Sequence, residues 1–268
     1  MTAPEKTVSS AQLYVDGKNT SQRVPLKFDS TGRTWLPVHA AMEALHFKSK
    51  YDEKTQTFRY GDTDPLYTVK VGEIEAIAGE KTRVLPQPPQ YWDNEVYMTT
   101  EALSTLLNTE VTWDQGRHVM NISSITLAEA GDGATTQSIA NINGVDLVNY
   151  AEKFLGVPYE FGSGPYPQTG TFDCSSFMQH VYDRFGVNLP RSSRGQSDIG
   201  KKVNMNALQP GDLLFFYTPG RYNSNRIVGH VGMYAGNDKI IHTYGSPGVT
   251  VSELDGYWEG RLLFAKRL

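Results

Sequence analysis

The chain has 268 residues, 39% hydrophobic and 20% charged, with a formal net charge of −4. That length fits two modest domains or one large one, and the apolar share is that of a globular protein with real cores. The acidic balance argues against a nucleic-acid partner. One cysteine excludes an intrachain disulfide and a CxxC zinc ribbon, and the histidines form no HExxH or other tight metal spacing.

No apolar run approaches the ~18 residues of a membrane helix. The opening "MTAPEKTVSSAQ" is polar and is not a signal peptide. It suits both a cytoplasmic start and a mature secreted chain with an added methionine.

The first half carries an internal repeat. Residues 14–60 align without a gap on residues 76–122. Gly17 falls on Gly79, Thr20 on Thr82, Ala40 on Ala102, Leu45 on Leu107 and Asp52 on Asp114. Val15/Ile77, Trp35/Tyr97, Leu36/Met98 and Tyr51/Trp113 are chemically similar pairs. "LYVDGKNT" reads as a strand entering an Asp-Gly turn. "RTWLPVHAAMEAL" and "VYMTTEALSTLL" each pass from a strand into a short amphipathic helix. Pro37 suits the first helix's opening turn. Thr99 or Thr100 suits the second's cap, with Glu101 at the positive end of the dipole. "YDEKTQTFRY" and "WDQGRHVMNI" read as hairpin returns. "PQPPQYWDNE" at 86–95 reads either as a display of exposed aromatics or as an ordinary hairpin loop.

This paired pattern resembles the copper amine oxidase N-terminal-like domain, over residues 12–124. The resemblance implies a duplicated α+β module that binds the wall or acts as a spacer. The name is historical and implies no copper here.

Residues 125–143 are small and polar and read as a linker. A second domain then spans 144–268. "VDLVNYAEKFLGVPY" has a helical stripe at 145, 148, 151 and 155, stopped by Gly156 and Pro158. "CSSFMQHVYDRFG" is a second helix, with Phe177, Val181 and Phe185 on one face. Strand-like segments follow at 212–217, 230–236 and 239–245. Helices first and strands after give an α+β domain.

Cys174, the only cysteine, has two readings: a buried small hydrophobe or a nucleophile. It opens a helix, with Asp173 placed to cap it; a helix N-terminus lowers a thiol pKa, while the capping carboxylate works the other way but is partly neutralised by the amides it binds. His180 lies six residues along that helix, about 240° around the axis. It therefore points away and reads as a packing or surface histidine. His230 and His242 flank Gly236-Asn237, and a hairpin centred on residue 236 puts them opposite one another. One imidazole then takes the thiol proton while the other holds the first. The alternative is that the two merely share a sheet face.

"FDCSSF", "PGDLLFF", "GHVGMYAG" and "IIHTYG" together resemble the NlpC-type cell-wall cysteine peptidases, over about residues 145–266. The resemblance implies a papain-like domain with a central antiparallel sheet. It makes Cys174 the nucleophile, His230 the base and later acid, and His242 the orienting third member. Asp173, Ser175 and Tyr159 match positions that contact the substrate's terminal amine and backbone; Asp173 reads equally as a cap, and Tyr159 as core. Arg191 or Arg194 in "LPRSSRGQ" reads as a contact for substrate carboxylates or as part of a solvated loop. Pro210-Gly211-Asp212 reads as a simple turn into the central strand. Ser176 stands where the family has glycine.

The implied activity is hydrolysis of peptidoglycan stem peptides, at a γ-D-glutamyl bond to diaminopimelate or lysine, without metal or organic cofactor. The implied setting is extracellular and wall-associated, as a monomer acting on peptidoglycan or muropeptides. The rivals are a related amidase or acyltransferase and a non-catalytic wall-binding protein.

Overall fold

A computed structural model describes residues 9–125, 142–222 and 224–268. Residues 126–141 of the expected linker, and residues 1–8 of the polar opening, lie outside the described residues. The chain divides into two compact units, residues 1–61 with 66–126 and residues 62–65 with 127–268.

The first unit follows the repeat. Its first half runs β1 (Ser9–Val15), β2 (Lys18–Phe28), β3 (Thr34–Pro37), α1 (Val38–Ala44), β4 (Lys48–Asp52) and β5 (Thr57–Gly61). After β6 (Pro65–Lys70) the second half runs β7 (Glu75–Ala78), β8 (Lys81–Val84), β9 (Gln90–Trp92), β10 (Glu95–Thr99), α2 (Thr100–Leu107), β11 (Val111–Asp114) and β12 (Val119–Ile122). The closing hairpin of each half joins the sheet that holds the other half's opening hairpin. One sheet is ordered β11-β12-β1-β2-β3-β10-β9 and the other β4-β5-β6-β7-β8. Thr99 caps α2, its hydroxyl accepting from the Ala102 N–H at 3.1 Å. Pro37 sits one residue before α1 as its extended N-cap, not inside the first turn. The 86–95 stretch forms a hairpin: Asp93 and Asn94 both take positive φ, and Trp92 packs edge-on against Trp35.

The second unit opens with α3 (Gly144–Ala151), α4 (Tyr166–Thr169), α5 (Cys174–Asp183) and α6 (Ser193–Ser197). Its strands are β13 (Lys201–Val203), β14 (Leu213–Phe216), β15 (His230–Gly236), β16 (Lys239–Thr243) and β17 (Val249–Glu253). A short α7 (Gly256–Glu259) precedes β18 (Leu262–Arg267). These form an antiparallel sheet ordered β13-β18-β14-β15-β16-β17. Side chains alternate across β15. Val231 and Met233 join Phe177 and Val181 of α5 in one core, while Tyr234 joins Phe216 and Trp258 in a second.

The stripe expected on α3 is displaced. Val145 and Leu155 are exposed, and the buried residues are Leu147, Val148 and Ala151. The helix breaks into a 3-10 turn at Glu152–Phe154, which turns position 155 outward. Pro210-Gly211-Asp212 does more than turn the chain. Gly211, at φ +91°, lies so close to Gly144 that a Cβ at Gly144 would strike the Pro210 carbonyl. Tyr182 Oη donates to the Gly211 carbonyl, and Arg267 grips both Asp212 oxygens. The turn thus ties α3, α5 and β18 together.

Candidate active site

Cys174 is the first residue of α5, and Asp173 is its N-cap. The Asp173 carboxylate accepts from the Ser176 N–H at 2.9 Å, and the Asp173 N–H donates back to Ser176 Oγ at 2.9 Å. Ser176 therefore completes a reciprocal capping box. Asp173 is fully buried, and a buried carboxylate needs a cationic partner. Arg191 supplies it: both terminal guanidinium nitrogens meet the Asp173 carboxylate, Nη1 donates to Ser175 Oγ at 2.9 Å, and Nη2 to the Ser163 carbonyl at 2.9 Å. The solvated-loop reading of 189–196 fails for the same reason. The stretch runs into α6, capped by Ser192, whose buried Gln196 donates to the carbonyls of Ser175 and Pro190.

His230 and His242 come together as expected, but not by the expected register. Met233 pairs with Ile241 and Gly236 with Lys239, with a bulge between. The turn is Asn237-Asp238, both at positive φ. The hairpin is centred beyond residue 236, so the residue opposite His242 is Gly232, two positions from His230, and His242 packs over it. Glycine at 232 leaves room for the imidazole to lean diagonally toward its neighbour. His230 Nε2 lies 3.1 Å from His242 Nδ1, and His242 Nε2 lies 3.0 Å from Ser252 Oγ on β17. Trp258 packs against both rings, with centroids 5.3 Å and 4.5 Å away. Burial lowers the His242 pKa to about 4, so the second imidazole is neutral at pH 7.

Cys174 approaches the start of the same strand. Its sulfur accepts from the backbone N–H of Val231, the residue after His230. It also lies 3.1 Å from Thr63 Oγ1. Thr63 belongs to the segment Asp62–Pro65, which follows β5, ends on the first residue of β6 and is part of this second unit. Thr63 Oγ1 donates to the Gly229 carbonyl, and Tyr159 Oη donates to the Thr63 carbonyl at 2.9 Å. Asp62 pairs with Arg221 at 3.2 Å, and Asp64 accepts from the Ser193 N–H and hydroxyl. Burial, then the charge of Asp173, raises the Asp64 pKa to about 7.

The expectation of a lowered thiol pKa is corrected here. Burial pushes the Cys174 thiol well up, and Asp64 and Asp173 push it the same way; the Thr63 and Val231 hydrogen bonds oppose them. Tyr159 is partly buried and bridges in parallel to Phe172, which seats its loop beside α5. His180 points elsewhere, as its helix position requires, and packs edge-on against Phe154 at 4.9 Å. It lines a cavity of about 450 Å³ with Gln179, Asp183, Leu189 and Arg191; Cys174 and His230 are not among the lining residues.

Residues 156–267 match the NlpC/P60 family model. Over 135 residues the chain is 36% identical to the probable endopeptidase NlpC of Escherichia coli, covering 50% of this chain and 82% of that one. The chain belongs to the NlpC/P60 family. It is 35% identical over 136 residues to the probable endopeptidase NlpC homolog of Haemophilus influenzae, 50% of this chain and 68% of the relative. It is 38% identical over 125 residues to the gamma-DL-glutamyl hydrolase of Bacillus subtilis, 46% of this chain but only 29% of that protein. A lipoprotein-like NLP/P60 structure from Staphylococcus aureus aligns at 34% identity and TM-score 0.42, over 50% of this chain and 44% of that one. Residues 7–122 match the copper amine oxidase N-terminal domain.

Within this NlpC/P60 unit, Asp173, Cys174, Ser175 and Tyr159 gather around residues 62–65, and His230 joins His242. Sequence reasoning missed Ser252, Trp258, the Arg191–Asp173 pair and the 62–65 segment. A signal for the last was present: Asp-Thr-Asp-Pro falls outside both repeat units, where module geometry does not require it.

Among the described residues, no three His, Cys, Asp or Glu side chains group to hold a metal ion, and no helix is long and apolar enough to cross a membrane.

Proposed function

We propose that this NlpC/P60 protein is a cysteine endopeptidase of the bacterial cell wall that cleaves peptidoglycan stem peptides. The observation that carries the reading is the His230–His242–Ser252 relay, at the end of a strand whose second residue donates its amide to the Cys174 sulfur.

In this mechanism His242 donates Nε2–H to Ser252 and accepts His230 Nε2–H at its Nδ1, which leaves His230 Nδ1 as the basic nitrogen. His230 takes the Cys174 thiol proton, and the sulfur attacks the substrate carbonyl carbon. The Cys174 backbone N–H, at the helix start, helps hold the oxyanion. The C–N bond breaks as His230 returns the proton to the leaving amine. His230 then deprotonates water, which cleaves the thioester, frees the carboxylate product and restores the thiol.

The scissile bond in this reading joins γ-D-glutamate to diaminopimelate or lysine, and Asp173, Ser175 and Tyr159 line the substrate side. The likeness to a gamma-DL-glutamyl hydrolase supports that bond. Residues 144–268 form the catalytic domain and 12–124 a wall-binding or spacer domain of an extracellular, monomeric enzyme.

The test incubates wild type and Cys174→Ala with purified peptidoglycan and defined muropeptides, reading new amines and fragment masses. Release of L-Ala-γ-D-Glu by wild type alone is expected. Equal amine release by both proteins would remove the peptidase reading.

A further inference from the structure

Thr63, within residues 62–65, lies directly against the Cys174 thiol. Cys174, Thr63 and Ser175 have no solvent exposure, and Asp62 and His230 retain only 2% and 1%. A nucleophile in that state cannot meet a carbonyl carbon from solution. The segment is also held at three successive residues. Tyr159 Oη binds the Thr63 carbonyl at 2.9 Å, the Ser193 N–H and hydroxyl bind the Asp64 carboxylate, and Arg221 binds Asp62.

Thr63 has one hydroxyl proton, and it goes to the Gly229 carbonyl. The same oxygen, 3.1 Å from Sγ, is then an acceptor, and Cys174 is the donor as an S–H. The raised thiol pKa agrees with that protonation state. What faces the sulfur is a hydroxyl and not a carbonyl carbon, so the segment occupies the site without being a substrate.

We propose that residues 62–65 are a built-in cover that holds Cys174 as a buried thiol, and that substrate reaches the sulfur only after they move off. The role as a gate on catalysis rests on the peptidase reading; the cover itself does not. Substrate carbonyls compete with Thr63 for Tyr159, so a well-matched peptide opens the site and a poor one leaves it shut.

Because Cys174 is the only cysteine, alkylation of the full-length chain by iodoacetamide reads its accessibility without reference to activity. Native wild type is compared with wild type in urea and with the triple variant Asp62→Gly, Thr63→Gly, Asp64→Gly, its fold checked by cooperative unfolding. The expected result is alkylation of native wild type at least about tenfold slower than of the triple variant. Equal rates overturn the proposal: both fast means no cover, and both slow means that something else shields the thiol. Should the triple variant not fold, Tyr159→Phe removes only the hydroxyl that holds the Thr63 carbonyl. A rise of about two- to tenfold is then expected, and an unchanged rate overturns the proposal. A folded, readily alkylated triple variant that cleaves no muropeptide removes the peptidase reading and leaves the cover standing.

Discussion

His230 Nε2 and His242 Nδ1 lie 3.1 Å apart, joined on a diagonal across Gly232. Burial keeps His242 neutral, and in the proposed mechanism it accepts from His230. In that mechanism its part is to hold the His230 ring and tautomer, so its loss bears on the rate step and not on substrate affinity. His242→Ala is expected to lower kcat by about 10²- to 10⁴-fold with KM little changed. His242→Asn, whose amide oxygen still accepts from His230, is expected to recover part of that loss. Steady-state kinetics on a defined muropeptide separates the two. A purely structural His242 would instead lower the amount of folded enzyme and leave kcat per active site unchanged.

Ser252 supplies the next link, 3.0 Å from His242 Nε2. Ser252→Ala removes one neutral hydrogen bond, worth about 0.5–1.5 kcal/mol. The expected cost is a fall in kcat of roughly two- to tenfold and a small drop in Tm. A loss as large as that of His242→Ala would mean that Ser252 touches the reacting atoms itself.

Two buried groups give stability opposite dependences on pH. The Asp64 pKa is raised from 3.8 to about 7, first by burial and then by Asp173. The folded state therefore binds more protons there than the unfolded one, and the Asp64 contribution to stability falls as pH rises from about 4 to about 7. His242 is lowered from 6.5 to about 4 by burial. The unfolded state binds more protons at that site, and its contribution rises with pH between about 4 and 6.5. Urea unfolding at pH 4.5 and pH 7 separates the two in single variants. Asp64→Asn is expected to gain stability relative to wild type more at pH 7 than at pH 4.5. His242→Asn is expected to lose more at pH 7 than at pH 4.5. Equal offsets at both pH values for either variant would show that its group does not titrate as described.

The readable parts of the fold are those built from local chemistry. The Asp16-Gly17 turn, the Thr99 cap, the paired repeat and the helix opened by Asp173-Cys174 all rest on neighbours in sequence, and all stand in the structure. The two histidines were legible as a pair because a hairpin is also local. Their register was not, because the turn falls on Asn237-Asp238 and a bulge lies between Tyr234 and Gly236, and neither alters the hydrophobic pattern. The least legible contacts join distant positions. Thr63 meets Cys174 and Asp64 meets Ser193 over more than a hundred residues, and each is a short polar side chain that also suits a loop. Arg191 was misread on the same ground, since a guanidinium beside a serine pair looks solvated until the carboxylate it neutralises is in place.

The Arg191–Asp173 pair carries a prediction about the start of α5. Asp173 is fully buried, and the Arg191 side chain is 36% exposed. Arg191→Ala strips the carboxylate of its partner, while the Ser176 cap bond survives. A buried charge left unpaired costs several kcal/mol, and the partial exposure of the arginine reduces that to about 2 kcal/mol or more. Arg191→Lys keeps the charge but loses the fork that spans Asp173, Ser175 and the Ser163 carbonyl, so it should rescue only part of the loss. Asp173→Asn in the Arg191→Ala background removes the stranded charge and should recover stability beyond the single variant, a coupling that a double-mutant cycle in urea reads directly. Additive effects would mean that the two groups act independently, and the buried carboxylate would then need another counter-charge.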